Sequence, residues 1–205
     1  LSDQTVVGLL KALCYKNRFD SLYQWVNDLP EWDGHPRVEN FFDLYLTGKR
    51  SDEQREWMRR CSSYLFTAMM ARMLCVEGSQ VDISLVLQGS QGQRKSTLTR
   101  ILAGTDARYQ ELNFGASYKD RAQDLEGKTV VEVGEMAGMR KRDVEEIKSF
   151  LTAREDKFRA PYEAEPSTHV RRCVFILTTN DSEVLRDPTG NRRFAVVNVG
   201  WGDGQ

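Results

Sequence analysis

The stretch Gly89-Ser90-Gln91-Gly92-Gln93-Arg94-Lys95-Ser96-Thr97 has the residue types and spacing of a phosphate-binding loop. A glycine-rich turn between a strand and a helix aims backbone N–H groups at phosphate oxygens, Lys95 adds a positive charge, and the Ser96 hydroxyl suits Mg²⁺. The residues before it, Val86-Leu87-Gln88, read as a strand, and Leu98-Thr99-Arg100-Ile101-Leu102 as the start of a helix. One letter departs from the G-x-x-x-x-G-K-[ST] pattern: Arg94 stands where the second glycine is expected. If the backbone there is left-handed, a non-glycine residue costs on the order of 1–2 kcal/mol. The chemistry implied is nucleoside triphosphate handling with Mg²⁺.

Phosphoryl transfer needs more than a loop: charge neutralisation, a metal, an oriented water and often an arginine. The downstream sequence offers each. Lys128-Thr129-Val130-Val131-Glu132-Val133 reads as a buried strand followed by Glu135. Glu132 suits the water shell of the metal held by Ser96, and Glu135 suits polarising an attacking water. Arg172 to Leu177 reads as another strand, ending in Thr178-Thr179-Asn180. Asn180 there can sense the γ-phosphate or position the water. Arg193-Phe194-Ala195-Val196-Val197 is a further strand, entered by a basic turn.

These elements must position the site. From Val81 onward, strands alternate with helices, which argues for a mostly parallel sheet covered on both faces, with ligands at the strands' carboxyl ends. The phosphate loop, the two glutamates and Asn180 all fall at such ends. Residues 1–78 read instead as a small helical subdomain, with apolar stripes at Val6, Leu9, Leu10 and Leu13, at Val38, Phe41, Phe42, Tyr45 and Leu46, and at Trp57, Cys61, Tyr64, Leu65, Ala68 and Met69. The methionine and aromatic stripes are expected to be core. Asp20 is placed to cap a second helix, and Trp32-Asp33-Gly34-His35-Pro36 is a turn. The expected division is a helical part over 1–78, an α/β core over 79–200 and a polar tail over 201–205.

Composition sets bounds on partners. The 205 residues carry 40 % hydrophobic and 29 % charged residues and a formal net charge of −1, so no global field draws the chain to nucleic acid. Local basic groups remain: Arg55, Arg59 and Arg60; Arg140, Lys141 and Arg142; Arg171 and Arg172; Arg192 and Arg193. Four cysteines without C-x-x-C spacing and two histidines give no zinc pattern, and reduced thiols in the cytoplasm are expected. No apolar run approaches the ~18 residues of a membrane span.

With these residues in view the chain resembles the virulence-associated protein E family, ATPases of phages, plasmids and pathogenicity islands related to superfamily 3 replicative helicases. The resemblance rests on Trp32-Asp33-Gly34-His35-Pro36-Arg37 with Phe41-Phe42, on Leu87 to Gly92 with Lys95-Ser96-Thr97, and on Glu132-Val133-Gly134-Glu135-Met136. It continues through Asp156-Lys157-Phe158-Arg159-Ala160-Pro161-Tyr162 and Thr178-Thr179-Asn180, and ends with Leu185-Arg186-Asp187-Pro188-Thr189-Gly190-Asn191-Arg192-Arg193-Phe194. It implies an AAA+-type P-loop NTPase core and a homo-oligomeric ring, expected to be hexameric. It further implies hydrolysis at subunit interfaces and translocation on DNA, single-stranded or forked. Arg192 resembles the arginine finger, with Arg193 as the rival. Lys157, Arg159, His169, Arg171 and Arg172 resemble the hairpin that grips DNA in a helicase pore. A primase domain or replication partner is a further expected neighbour. An AAA+ regulator or initiator that remodels a protein without unwinding DNA is the alternative, and a small-molecule kinase a third class.

Overall fold

Runs of β-branched and aliphatic residues build the centre of the molecule. The computed structural model describes residues 2–17, 19–46, 48, 50–134, 141–159, 165–180 and 191–200, with backbone alone for 141–145 and 191. Strands β1 (Ser84–Gln88), β2 (Tyr109–Glu111), β3 (Val130–Val133), β6 (Val174–Thr179) and β7 (Phe194–Asn198) form one sheet in the order β2-β3-β6-β1-β7. Every pairing in it is parallel. The strands β3 and β6 are buried along their whole lengths, as sheets covered on both faces require. The α/β class and the parallel sheet are as the alternating pattern predicts. The edge strand β2 escapes that reading, because three residues are too short to show a period.

Helices α5 (Lys95–Ala103), α6 (Tyr118–Asp124) and α7 (Lys141–Thr152) connect the strands. On one face of the sheet the core packs Val86, Val131, Val133, Phe175 and Leu177 against Ile147, Phe150 and Leu151 of α7. A separate antiparallel pair, β4 (Glu155–Phe158) and β5 (Ser167–Val170), stands between α7 and β6.

The contacts divide the chain into residues 1–32 and residues 33–205. The first unit holds α1 (Asp3–Lys16) and α2 (Ser21–Asn27). Asp20 caps α2 as expected, its Oδ1 accepting from the backbone N–H groups of Leu22 at 3.1 Å and Tyr23 at 3.0 Å. Val6, Leu9, Leu10 and Leu13 of α1 are exposed, and α1 has no buried residue; the difference from expectation lies in the aromatic stripes, where Tyr45 and Trp57 are exposed. In the second unit, α3 (Arg37–Tyr45) packs on the long α4 (Asp52–Leu74), and α4 also meets β6 and β7. A capping box at Ser51 and Gln54 starts α4, and Met58, Cys61, Leu65, Met69 and Met73 give it a buried face. The Asp33 carboxylate closes the turn before α3, accepting from the His35 N–H at 3.1 Å and from Arg37 Nη1 at 2.7 Å.

Candidate functional site: a phosphate loop over a buried carboxylate

Parallel strands put the carboxyl ends of β1, β6 and β3 side by side, and the chain leaves β1 directly into the loop. Gly89 N–H donates to Thr179 O at 3.1 Å, which ties the loop to the end of β6. Gly92 has φ of 86° and Arg94 has φ of 56° and ψ of 31°. Arg94 is the single non-glycine with positive φ among the described residues. The left-handed backbone that a glycine would adopt freely is thus present and carried by an arginine. Arg94 is the N-cap of α5 with no side-chain cap bond, and its side chain is exposed.

Lys95 opens α5 and is buried. Its Nζ donates to Gly89 O at 2.7 Å, Ser90 O at 3.0 Å and Asn180 Oδ1 at 2.7 Å. The three ammonium donors are therefore held by three neutral oxygens. Burial lowers the Lys95 pKa, and the charge of Glu132 opposes that shift. Phosphate oxygens arriving here would exchange neutral acceptors for charged ones, which make shorter and stronger bonds.

Glu132 on β3 is 2 % exposed and is saturated by hydroxyl donors. Its Oε1 accepts from Ser96 Oγ at 2.6 Å and Thr178 Oγ1 at 2.8 Å, and its Oε2 from Thr99 Oγ1 at 2.6 Å and Tyr109 OH at 2.6 Å. Burial pushes the carboxyl up, but the four hydroxyls together outweigh it and hold the group below its ordinary value. The same environment pushes the Tyr109 phenol up to about 12, through burial first and the bond to Glu132 second. The result is a buried anion one hydrogen bond from Ser96, a hard oxygen donor set of the kind Mg²⁺ takes. Among the described residues no group of three or more His, Cys, Asp or Glu could hold a metal.

These groups line one cavity of about 620 Å³ running from Gln91 to Thr97 and across to Glu132 and Asn180. Glu111, at the end of β2, lines the same cavity. It sits in register with Glu132, and its Oε1 would lie 3.6 Å from a Cβ added at Gly134. Sequence reading missed Glu111 along with Thr99, Tyr109 and Thr178. Thr99, one helical turn from Ser96, and Thr178, in the run that ends at Asn180, left a signal there. The Glu135 assignment lies outside the described residues, as do Ala160-Pro161-Tyr162, the run from Leu185 to Gly190 and the Arg140 patch.

The remaining candidates stand apart from the loop. Arg192 is exposed and Arg193 half-buried, in a 3-10 turn over Asn191–Arg193 at the start of β7. Because β7 runs parallel to β1, this turn and the chain's own loop lie at opposite ends of the sheet, roughly 17 Å apart along the strand. On the β4–β5 hairpin, Lys157 and Arg159 are exposed and alternate with the buried Asp156 and Phe158. One assignment is corrected. Arg171 is 2 % exposed, and its Nε and Nη2 bind Asp156 Oδ2 and Oδ1, each at 2.6 Å. It also donates to Phe150 O and stacks over the Phe150 ring at 4.2 Å. It is a core ion pair, closed to DNA. His169 has its Nδ1 2.8 Å from Glu126 Oε1, its Nε2 2.8 Å from Ser167 Oγ and its ring stacked on Phe158. Both ring nitrogens are engaged within the protein. Arg172 is half-buried.

A phosphate loop at the centre of a parallel sheet, with Asn180 and a buried carboxylate on the next strands, defines an α/β protein of the P-loop class. The sequence matches the virulence-associated protein E-like domain over residues 26–205, and the chain belongs to that family. Three solved structures are similar in fold. An A-form apo structure of the NrS-1 C-terminal region is 17 % identical with a TM-score of 0.54, covering 84 % of this chain and 39 % of that one. A second apo structure of the region is 15 % identical with a TM-score of 0.51, covering 76 % and 40 %. Another A-form apo structure is 15 % identical with a TM-score of 0.50, covering 76 % and 39 %. The chain thus spans about two-fifths of their length. No curated protein matches it. Among the described residues no helix is long and apolar enough to cross a membrane.

Proposed function

We propose that this chain is the ATP-hydrolysing DNA-translocating module, a helicase core, of a mobile-element replication protein, working as a ring. The observation that carries the reading is the convergence of Lys95, Ser96, Glu132 and Asn180 on one cavity at the ends of three parallel strands. In this reading the amides of Ser90 to Lys95 wrap the β-phosphate. Lys95 leaves Asn180 to bridge β- and γ-oxygens, and Asn180 is freed to orient the attacking water or sense the γ-phosphate. Ser96 would ligate Mg²⁺ and Glu132 would hold its water shell, and the ion would supply charge neutralisation to the phosphates. Glu135 polarises the water. The family membership supports a replication role.

The position of Arg192, remote from the chain's own loop, supports action at a neighbour's site, with Arg193 as the rival. Lys157 and Arg159 supply the exposed charge for DNA phosphates. The reading that the chain remodels a protein partner without unwinding DNA shares the same ATP chemistry.

The test is a DNA-stimulated ATPase and fork-unwinding assay on the full-length protein. Lys95→Ala abolishes turnover. Arg192→Ala spares nucleotide binding and stops turnover. Mixing Arg192→Ala subunits with subunits altered at Glu135 restores turnover at the interfaces that pair an intact Glu135 with a neighbour's intact Arg192. Hydrolysis by a ring without DNA stimulation or unwinding would sink the translocase reading in favour of the regulator. Turnover retained in Lys95→Ala would remove the phosphate loop from the chemistry.

A further inference from the structure

Two apolar surfaces of this chain lie open, and they carry the same spacing. On α1 the stripe is Val6, Leu9, Leu10 and Leu13, each between 41 % and 55 % exposed, and no residue of the helix is buried. A short helix with one apolar face gains its stability when that face is covered. On α4, the side turned away from its buried face opens an apolar groove of about 650 Å³, which Val38 of α3 also lines. Phe66, Met70 and Leu74 wall the groove, and the small Thr67 and Ala71 leave room between them. Open apolar patches rimmed by polar residues mark interaction sites.

The two surfaces match along their length. Thr67, Met70, Ala71 and Leu74 repeat the intervals of Val6, Leu9, Leu10 and Leu13, so each runs about 10 Å along its helix. Anchors at these intervals are how a helix lies in an apolar groove. The long side chains of Leu9 and Leu10 suit the space over Thr67 and Ala71.

Charge sets the direction. α1 is acidic in its first turn, at Asp3, and basic in its last, at Lys16. The groove has the opposite order. Arg59 is exposed about two turns before Thr67, and Glu77 is exposed just beyond Leu74. With the two helices parallel, Asp3 approaches Arg59 and Lys16 approaches Glu77. Antiparallel, like charges would meet, and such juxtaposition rejects a register.

We propose that α1 of one copy lies parallel to α4 in the α3–α4 groove of the next copy. Every copy supplies one stripe and one groove. Because these are different patches, the contact is head-to-tail, and repeated head-to-tail contacts close into a ring or extend as a filament. The proposal rests on the ring reading above for closure alone, and adds the surface that joins the subunits. It needs no nucleotide.

Two exposed cysteines test it. Cys14 follows Leu13 and Cys75 follows Leu74, at one level of the parallel pair, while Cys61 and Cys173 are buried. Chains carrying Cys14→Ser are mixed with chains carrying Cys75→Ser, and bismaleimidohexane is added. The mixture gives a covalent dimer, and either variant alone gives only collisional background. Adding Leu9→Asp and Leu10→Asp, at exposed positions, to the chain that keeps Cys14 removes the dimer. Adding Met70→Asp to the chain that keeps Cys75 does the same. Lys16→Glu on the first chain lowers the yield, and Glu77→Lys on the second restores it. A mixture that gives no more dimer than the separate variants overturns the contact, and so does a dimer indifferent to the aspartates. A link confined within single unaltered chains also overturns it and gives the groove to the chain's own α1. ATP hydrolysis by a ring that fails the crosslink leaves the nucleotide reading intact. The crosslink in a chain without ATPase activity leaves this contact standing.

Discussion

Replacing Arg94 by glycine separates backbone from charge at the loop's most unusual position. The arginine holds φ of 56° and ψ of 31°, a left-handed conformation that costs an L-residue on the order of 1–2 kcal/mol. Glycine relieves that strain but loses ~0.4–1 kcal/mol through the freer unfolded chain. The guanidinium is exposed and makes no cap bond, so little else changes. Arg94→Gly should therefore stabilise the protein by roughly 0.5–1 kcal/mol, a rise in melting temperature of about 1–4 °C. Arg94→Ala keeps the Cβ and its strain, and should stay within ~0.5 kcal/mol of the parent. Urea unfolding of the three proteins measures the difference. ATP affinity measured in parallel should be unchanged or tighter in Arg94→Gly, because the same left-handed turn still aims the loop amides. Arg94→Gly no more stable than Arg94→Ala would refute the strain argument. A large and equal loss of ATP affinity in both would instead make the guanidinium a phosphate ligand.

Arg171→Ala should destabilise the fold by ~3–5 kcal/mol, since it strands the buried Asp156 carboxylate, and a denaturant titration reads this directly. Lys157→Glu with Arg159→Glu should leave stability within ~0.5 kcal/mol while weakening single-strand DNA binding and flattening its salt dependence; unchanged affinity would assign the hairpin a packing role. Glu111→Gln should slow ATP turnover with nucleotide affinity retained, as expected of a carboxylate that opens into the phosphate cavity, and an unaltered rate would exclude it from the site. Native protein treated with a thiol reagent should label Cys14 and Cys75, which are exposed, and spare Cys61 and Cys173. Burial pushes both sheltered thiols up to about 11, so they stay protonated and unreactive.

The phosphate loop was legible because its chemistry depends on neighbours in the chain. Glycines, Lys95 and Ser96 must follow one another between a strand and a helix, and that order is local. The strands β1, β3, β6 and β7 were legible because strands buried on both faces are continuous apolar runs. Their shared carboxyl-end location followed from the alternation of strand and helix, and so did the meeting of Glu132 and Asn180 with the loop. The three-residue β2 and the short α6 left no comparable signal.

The sequence by itself determined the class of fold and the residues that begin the phosphate site. The tertiary structure alone decided what surrounds each charge. Arg171 and Lys157 are both basic residues on one hairpin, yet the first is sealed against Asp156 and Phe150 while the second faces outward. Glu132 ends up under four hydroxyls drawn from β2, β6 and α5. Trp57 meets the edge of β7 across a separation of 139 residues. Burial and partner identity depend on which distant segments the sheet order brings together, and no local spacing encodes that order.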